Sequence, residues 1–207
     1  MKTVCILSQK GGSGKTTLAI NLAVASQLKG KSAMIADMDS QQSSSMWHTA
    51  RADDFPYVQA TDSKGLKQLH AAAEEQGFDH FFIDTAPTSN KDSLEAVEIA
   101  DVIAVTCKPS IMDLRAISNT IDLIEMAKLK DKCKAFMVLS MVEHYSTRDR
   151  EESEALLKEL KMKVCPQWLG TRVAYRRSLI EGEGVQEYEP RGKAAEEIAA
   201  IHKFMKI

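Results

Sequence analysis

Residues 8–17 read Ser8-Gln9-Lys10-Gly11-Gly12-Ser13-Gly14-Lys15-Thr16-Thr17, and these types at this spacing suit the holding of a phosphate chain. Glycines let the backbone curl with its N–H groups pointing inward, and a helix starting at the end of the loop adds partial positive charge. In such a loop Gly11, Gly12, Ser13, Gly14, Lys15, Thr16 and Thr17 surround the phosphates. Lys15 reaches the β- and γ-phosphates, and the Thr16 hydroxyl ligates Mg2+. The flanks agree: Val4-Cys5-Ile6-Leu7 suits a buried strand, and Leu18, Leu22, Ala25 and Leu28 fall on one helical face. The usual G-x-x-x-x-G-K-[ST] pattern has glycine at position 9, where this chain has Gln9 followed by Lys10.

Two acidic segments extend the same chemistry. Phe81-Phe82-Ile83-Asp84 is an apolar run ending in a carboxylate, which places Asp84 to enter a Mg2+ shell through water. Met34-Ile35-Ala36-Asp37-Met38-Asp39 ends a second apolar run with two carboxylates. A D-x-D at a strand end is also what a helix cap looks like, so this segment takes its weight from following the loop.

A loop and two carboxylates meet only if several strand ends lie side by side. Apolar runs at Val4–Leu7, Ser32–Ala36, Tyr57–Ala60, His80–Ile83, Val102–Cys107, Ala135–Met141 and Val164–Gln167 read as strands. Helical spacing is clearest at Lys15–Lys29, Leu66–Gln76, Leu114–Ala127, Glu151–Lys161 and Ala194–Met205. Continuous apolar strands separated by helices predict an α/β fold, a doubly wound and mostly parallel sheet with helices on both faces. Ligands of such sheets bind beyond the C-terminal strand ends. The 207 residues, 44% hydrophobic, suit one domain spanning 1–207. A net charge of −2 confines any nucleic-acid surface to a local patch. Cys5, Cys107, Cys133 and Cys165 lack metal or redox spacing, and with no signal-like or spanning segment the expected setting is cytoplasmic. The histidines His48, His70, His80, His144 and His202 show no ligand spacing, so no metal beyond Mg2+ is expected. Trp47 and Trp168 read as packing residues.

The loop Lys10-Gly11-Gly12-Ser13-Gly14-Lys15-Thr16-Thr17 resembles the deviant Walker A motif of the ParA/MinD family of ATPases. The resemblance implies a P-loop NTPase fold with ATP and Mg2+. It also implies that Lys10 crosses the interface of an ATP-sandwich homodimer to the partner's phosphates. From the residues alone a solvated lysine on the loop shoulder fits equally well. Asp37-Met38-Asp39-Ser40-Gln41 resembles the family's D-x-D-P-Q segment, with Ser40 in place of proline. By that match Asp39 positions or polarises the attacking water. An aspartate is in general a weak base at neutral pH, which suits orientation better than proton removal, and Asp37 is a structural or metal-shell partner. Asp84-Thr85-Ala86-Pro87 resembles the family's D-T-P-P, with Ala86 a mild departure. The segment from Val105 through Lys108-Pro109 to Leu114 resembles the exit of the fifth strand toward an interface helix, where Asp113 caps the helix or faces a partner. Asn90-Lys91-Asp92-Ser93 departs from the guanine motif N-K-x-D, and adenine is implied by the resemblance alone.

The last third resembles the family's R-x-x-[YF] region, with Arg172, Arg176 and Arg177 around Tyr175, then Lys193, Lys203 and Lys206. In partitioning members such basic residues hold DNA without sequence preference in the ATP-bound dimer. Here Glu181, Glu183, Glu187, Glu189, Glu196 and Glu197 are interspersed, so a mixed solvated surface stands beside a DNA patch as a reading. Ile198–Ile207 is amphipathic, which suits core packing better than the membrane helix of MinD-type relatives. The expectation is a short ParA-type ATPase that dimerises on ATP, binds nonspecific DNA at the nucleoid and positions or segregates a cargo such as a plasmid or chromosome. A ParB-like or other adaptor would stimulate its hydrolysis. The alternatives are a MinD-like membrane-surface ATPase and a synthetase resembling dethiobiotin synthetase. A nitrogenase-iron-protein-like reductase is disfavoured because Cys5 and Cys107 fall in expected core strands.

Overall fold

The computed structural model describes residues 1–87, 91–127, 133–143 and 162–207. The expected helix at 151–161, Asn90 and His144 lie outside the described residues. Seven strands form one sheet: β1 Lys2–Leu7, β2 Ala33–Asp37, β3 Tyr57–Ala60, β4 His80–Asp84, β5 Val102–Cys107, β6 Lys134–Leu139 and β7 Lys163–Val164. Their order is β3-β2-β4-β1-β5-β6-β7, and every pairing is parallel. The doubly wound parallel sheet read from the alternating pattern is the fold observed. All of β2, β4 and β5 is buried, which is why these strands read as unbroken apolar runs, whereas the edge strand β3 leaves Tyr57, Gln59 and Ala60 exposed.

The helices among the described residues are α1 Lys15–Gln27, α2 Ser43–Ala50, α3 Ser63–Glu75, α4 Lys91–Ile99, α5 Ile111–Ala116, α6 Ser118–Met126, α7 Val173–Ile180, α8 Val185–Tyr188 and α9 Lys193–Met205. One face of the sheet packs on α1 and α9, through Leu18, Leu22, Ile198 and Ile201, with Trp47 and Tyr175 beside them. The other face packs on α3 to α6, through Leu66, Val97, Leu114 and Ile124. In α9 the apolar residues Ala194, Ile198, Ile201 and Met205 are buried, so this helix covers the sheet.

Several boundaries differ from the sequence pattern, and three of them have a clear local reason. The segment expected as one helix over Leu114–Ala127 is two, because the hydrogen bonding tightens at Ile117, whose carbonyl accepts from Thr120 N at 2.8 Å. The last strand stops at Val164, two residues before Pro166, which has no N–H to pair. The sixth stops at Leu139, and Met141 then adopts a left-handed φ of 53°. The pattern also left out α2, whose sequence opens with Ser43, Ser44 and Ser45, poor helix formers held here by tertiary contacts.

Candidate functional site

The C-terminal ends of β1, β2 and β4 converge. In the sheet register Asp84 lies beside Ile6 on one side and Asp37 on the other, and the phosphate loop begins one residue beyond Leu7. Gly12 and Gly14 have φ of 67° and 82°, a region that strains any residue with a Cβ, so these glycines set the curl of the loop. Gly14 caps α1 without a side-chain acceptor, leaving the first N–H groups of the helix for a ligand. Neighbouring elements brace the loop from outside. Ser140 Oγ donates to Ser13 O at 2.6 Å, Ser13 Oγ pairs with Thr106 Oγ1 at 3.1 Å, and Gln9 Nε2 donates to Thr120 Oγ1 at 2.8 Å.

Lys15 is buried at the floor of the loop. Burial pushes its pKa down, while the charges of Asp84 and Asp39 pull it back up. Asp84 is fully buried, and burial lifts its carboxyl to about 6; the hydroxyls of Ser44 and Thr16 and the charge of Lys15 oppose that rise, and the Asp37 charge adds to it. Ser44 Oγ donates to Asp84 Oδ2 at 2.8 Å, but Asp84 Oδ1 is buried without a hydrogen-bond partner. A buried carboxylate oxygen left unpaired beside a threonine hydroxyl is a donor set that fits a hard divalent cation. Thr16 and Asp84 are therefore the residues that would hold Mg2+.

Asp37, equally buried, fixes the next loop. Its Oδ2 accepts from Ser45 N and Ser45 Oγ, both at 2.9 Å, and its Oδ1 accepts from Asp39 N at 3.2 Å. Asp39 is half-buried, and its Oδ1 accepts from Gln41 N at 3.0 Å. The first turn of α2 thus ties each buried carboxylate to one serine, Ser44 to Asp84 and Ser45 to Asp37. Sequence reasoning passed over these serines; a serine run placed four residues after D-x-D was the available signal. Beside them opens a cavity of about 670 Å3 lined by Asp37, Asp39, Asp62, Lys64, Thr85 and Asp92 among others.

Residues 4–185 match the CobQ/CobB/MinD/ParA nucleotide binding domain family. The chain belongs to this family. It is 29% identical to a maintenance of carboxysome distribution protein A from Gloeobacter kilaueensis, over 98% of this chain and 91% of that protein. It is 22% identical to the sporulation initiation inhibitor protein Soj of Bacillus subtilis, over 94% of each. Among solved structures, the MinC:MinD cell division protein complex of Aquifex aeolicus superposes with a TM-score of 0.79 at 17% identity, covering 100% of this chain and 96% of that one. The matched residues, 4–185, include the phosphate loop, Asp39 and Asp84, and the fold is that of ParA/MinD proteins.

Of the residues the motif names, Gly11, Gly12, Ser13, Gly14, Lys15, Thr16 and Thr17 form one loop and first turn, from which Lys15 acts on Asp84 and Asp39 and Thr16 on Asp84. Lys10 is set apart. Its side chain is about half exposed on the lip of the loop, and its ammonium pairs with Asp113 Oδ1 at 2.8 Å. The C-terminal basic residues do not act alike. Arg172 turns inward, with Nε 2.8 Å from Glu197 Oε1, and Glu197 Oε2 also accepts from Tyr175 OH at 2.9 Å. Arg176 and Arg177 are exposed on α7, and Lys193 and Lys203 are exposed on α9. Trp47 packs, as its sequence context suggested: its Nε1 donates to Glu183 O and its ring lies under Arg51, which is paired with Glu187.

Proposed function

We propose that this chain is a ParA-type ATPase that closes an ATP-sandwich homodimer and uses it to position a cargo. The observation that carries this reading is the division of labour between two lysines. Lys15 occupies its own loop, whereas Lys10 stands on the lip, held away from that loop by Asp113. A cation so placed serves phosphates that approach from outside, and a second copy brings such phosphates. Exposed Met112 and Met141 flank the same rim, one next to Asp113 in the chain and the other next to Ser140. Apolar side chains there gain from being covered.

In hydrolysis the loop N–H groups and Lys15 hold the triphosphate, and Asp39 orients water at the γ-phosphate. Thr16 and Asp84 are the residues that would hold Mg2+, which when bound would supply neutralisation of the β- and γ-phosphate charge. Asp37 ties the Asp39 backbone and Ser45 of α2 to one carboxylate, so the water-orienting group is anchored to α2. An adaptor protein of ParB-like or other type would stimulate turnover. The cargo is a replicon or another body; the name of the Gloeobacter relative makes carboxysome distribution one candidate.

Nonspecific DNA is the proposed substrate for the dimer, through exposed Arg176, Arg177, Lys193 and Lys203; Arg172, spent on Glu197, contributes structure instead. Membrane attachment through the C-terminal helix is disfavoured, since the apolar face of α9 is occupied by α1 and the sheet. The test is binding to random-sequence duplex DNA with ATP, ADP or no nucleotide, at two salt concentrations. Tight, salt-sensitive binding with ATP alone, lost in Lys10→Ala, supports the reading. Equal binding in all nucleotide states, or none in any, removes the DNA step.

A further inference from the structure

The lip of the phosphate loop holds an arrangement of charges that nucleotide binding by one chain does not need. Asp113 sits in the first turn of α5 with its side chain only 17% exposed. Ser110 fixes it: the Ser110 hydroxyl donates to Asp113 Oδ2 and accepts from Asp113 N at 3.1 Å. The other oxygen, Oδ1, takes Lys10 at 2.8 Å. Burial pushes the Asp113 carboxyl up, yet the bonds from Lys10 and Ser110 and the charges of Lys10 and Lys108 outweigh it and hold the group ionised. Asp113 is thus a fixed anion that needs a cation.

Lys108, one residue past β5, supplies a second one. Its ammonium lies 4.0 Å from where a Cβ on Gly12 would stand, directly against the loop. Its charge already acts on Asp113. Among the described residues it has no hydrogen bond or ion pair of its own through its side chain. If Lys10 leaves for phosphates outside its own loop, a mostly covered carboxylate loses its partner, an expensive state unless another cation moves in. Lys108 stands beside the loop, its charge is already felt by Asp113, and among the described residues its ammonium has no competing engagement.

We infer that Asp113 is the positioning residue for Lys10, holding it in cis in the nucleotide-free chain, and that Lys108 replaces Lys10 on Asp113 when Lys10 crosses to a second copy. This rests on the dimer reading above. Two lysines exchanging on one carboxylate make the crossing close to neutral in charge pairing, so the ATP phosphates can decide it. The exchange also predicts a specific dependence between positions 108 and 113: Lys108 matters only while Asp113 carries its charge.

The experiment is sedimentation of the full chain over a series of ATP concentrations with Mg2+, in an Asp39→Ala background to slow hydrolysis. Lys108→Gln should raise the ATP concentration for half-dimerisation about 10-fold, by leaving Asp113 unpaired in the dimer. Asp113→Asn should lower it by up to about 5-fold, by freeing Lys10. The double variant should match Asp113→Asn alone, and Lys108→Arg should match the parent within about 2-fold. Thermal unfolding midpoints establish that each variant is folded. Additive effects in the double variant, or an unaltered Lys108→Gln, overturn the exchange while leaving the dimer standing. A parent chain that stays monomeric at saturating ATP overturns the dimer reading and the exchange with it.

Discussion

The two ends of the sheet bury ionisable groups in opposite ways. At the C-terminal end Asp84 is fully buried with one oxygen unpaired and its carboxyl lifted to about 6. At the N-terminal end His202 is buried with both ring nitrogens engaged. Lys29 Nζ lies 2.8 Å from Nδ1, and an ammonium can only donate, so Nδ1 accepts and Nε2 carries the proton. Nε2 then donates to Ser26 Oγ at 3.1 Å, and Ser26 passes a hydrogen bond to Leu22 O at 3.0 Å. Burial, the Lys29 charge and His80 together lower the His202 pKa to about 4. At the far end the His202 ring is fully paired as it stands, although the neighbouring His80 keeps Nδ1 buried and unpaired. At the near end the unpaired atom is a carboxylate oxygen beside the phosphate loop, which is the chemistry the proposed cation and phosphates would engage.

The largest effect expected at the open end is on Lys15→Ala, which removes the buried phosphate cation. ATP affinity should fall by at least about 100-fold in a fluorescent-nucleotide titration; unchanged affinity would break the assignment of this end as the site. Asp39→Ala should lower single-turnover hydrolysis by about 100-fold or more while ATP still binds, and normal turnover would relocate the water-orienting group.

Asp84→Asn sharpens the contrast further. It should stabilise the ligand-free chain at pH 7 by no more than about 3 kcal/mol, because a buried charge is removed. It should also remove the additional thermal shift that Mg2+ gives to the ATP-bound protein. Loss of stability instead would mean that the open end is not strained without its ligand.

The two ends also predict pH slopes of opposite sign in the ligand-free chain. The Asp84 carboxyl binds its proton more tightly folded than unfolded, so its contribution to stability falls as pH rises from about 4 to about 6. His202 binds its proton less tightly folded, so its contribution is present above about 6.5 and is lost as pH falls toward 4. In denaturant titrations His202→Gln should expose the first slope and Asp84→Asn the second; the same profile in both variants would erase the distinction. The smallest change is expected for Ser44→Ala, about 1 kcal/mol in the ligand-free chain from one lost hydrogen bond to a buried carboxylate.

Much of this was legible in the residues because each signal is local. Glycines at 12 and 14 needed a left-handed backbone, the apolar runs at β1, β4 and β5 needed two covered faces, and Asp84 needed only to end its strand. The parallel order of the sheet followed from alternation. What stayed hidden depended on residues far apart in the chain. The serines of α2 gain meaning only when β2 and β4 set Asp37 and Asp84 side by side. Arg172 looked like a surface cation until α9 brought Glu197 against it, 25 residues away in sequence.

The sequence by itself determined that this chain builds a phosphate loop at a strand end, on a parallel α/β sheet, with carboxylates at two further strand ends. Those properties follow from backbone sterics and hydrophobic period, which act over a few residues. Only the tertiary structure decided which polar groups are spent on the fold and which remain for a ligand: Lys10 on Asp113, Lys108 beside Gly12, Arg172 on Glu197 and the bare oxygen of Asp84. The physical reason is that a charge is silent about its partner until folding removes the water that would otherwise serve it.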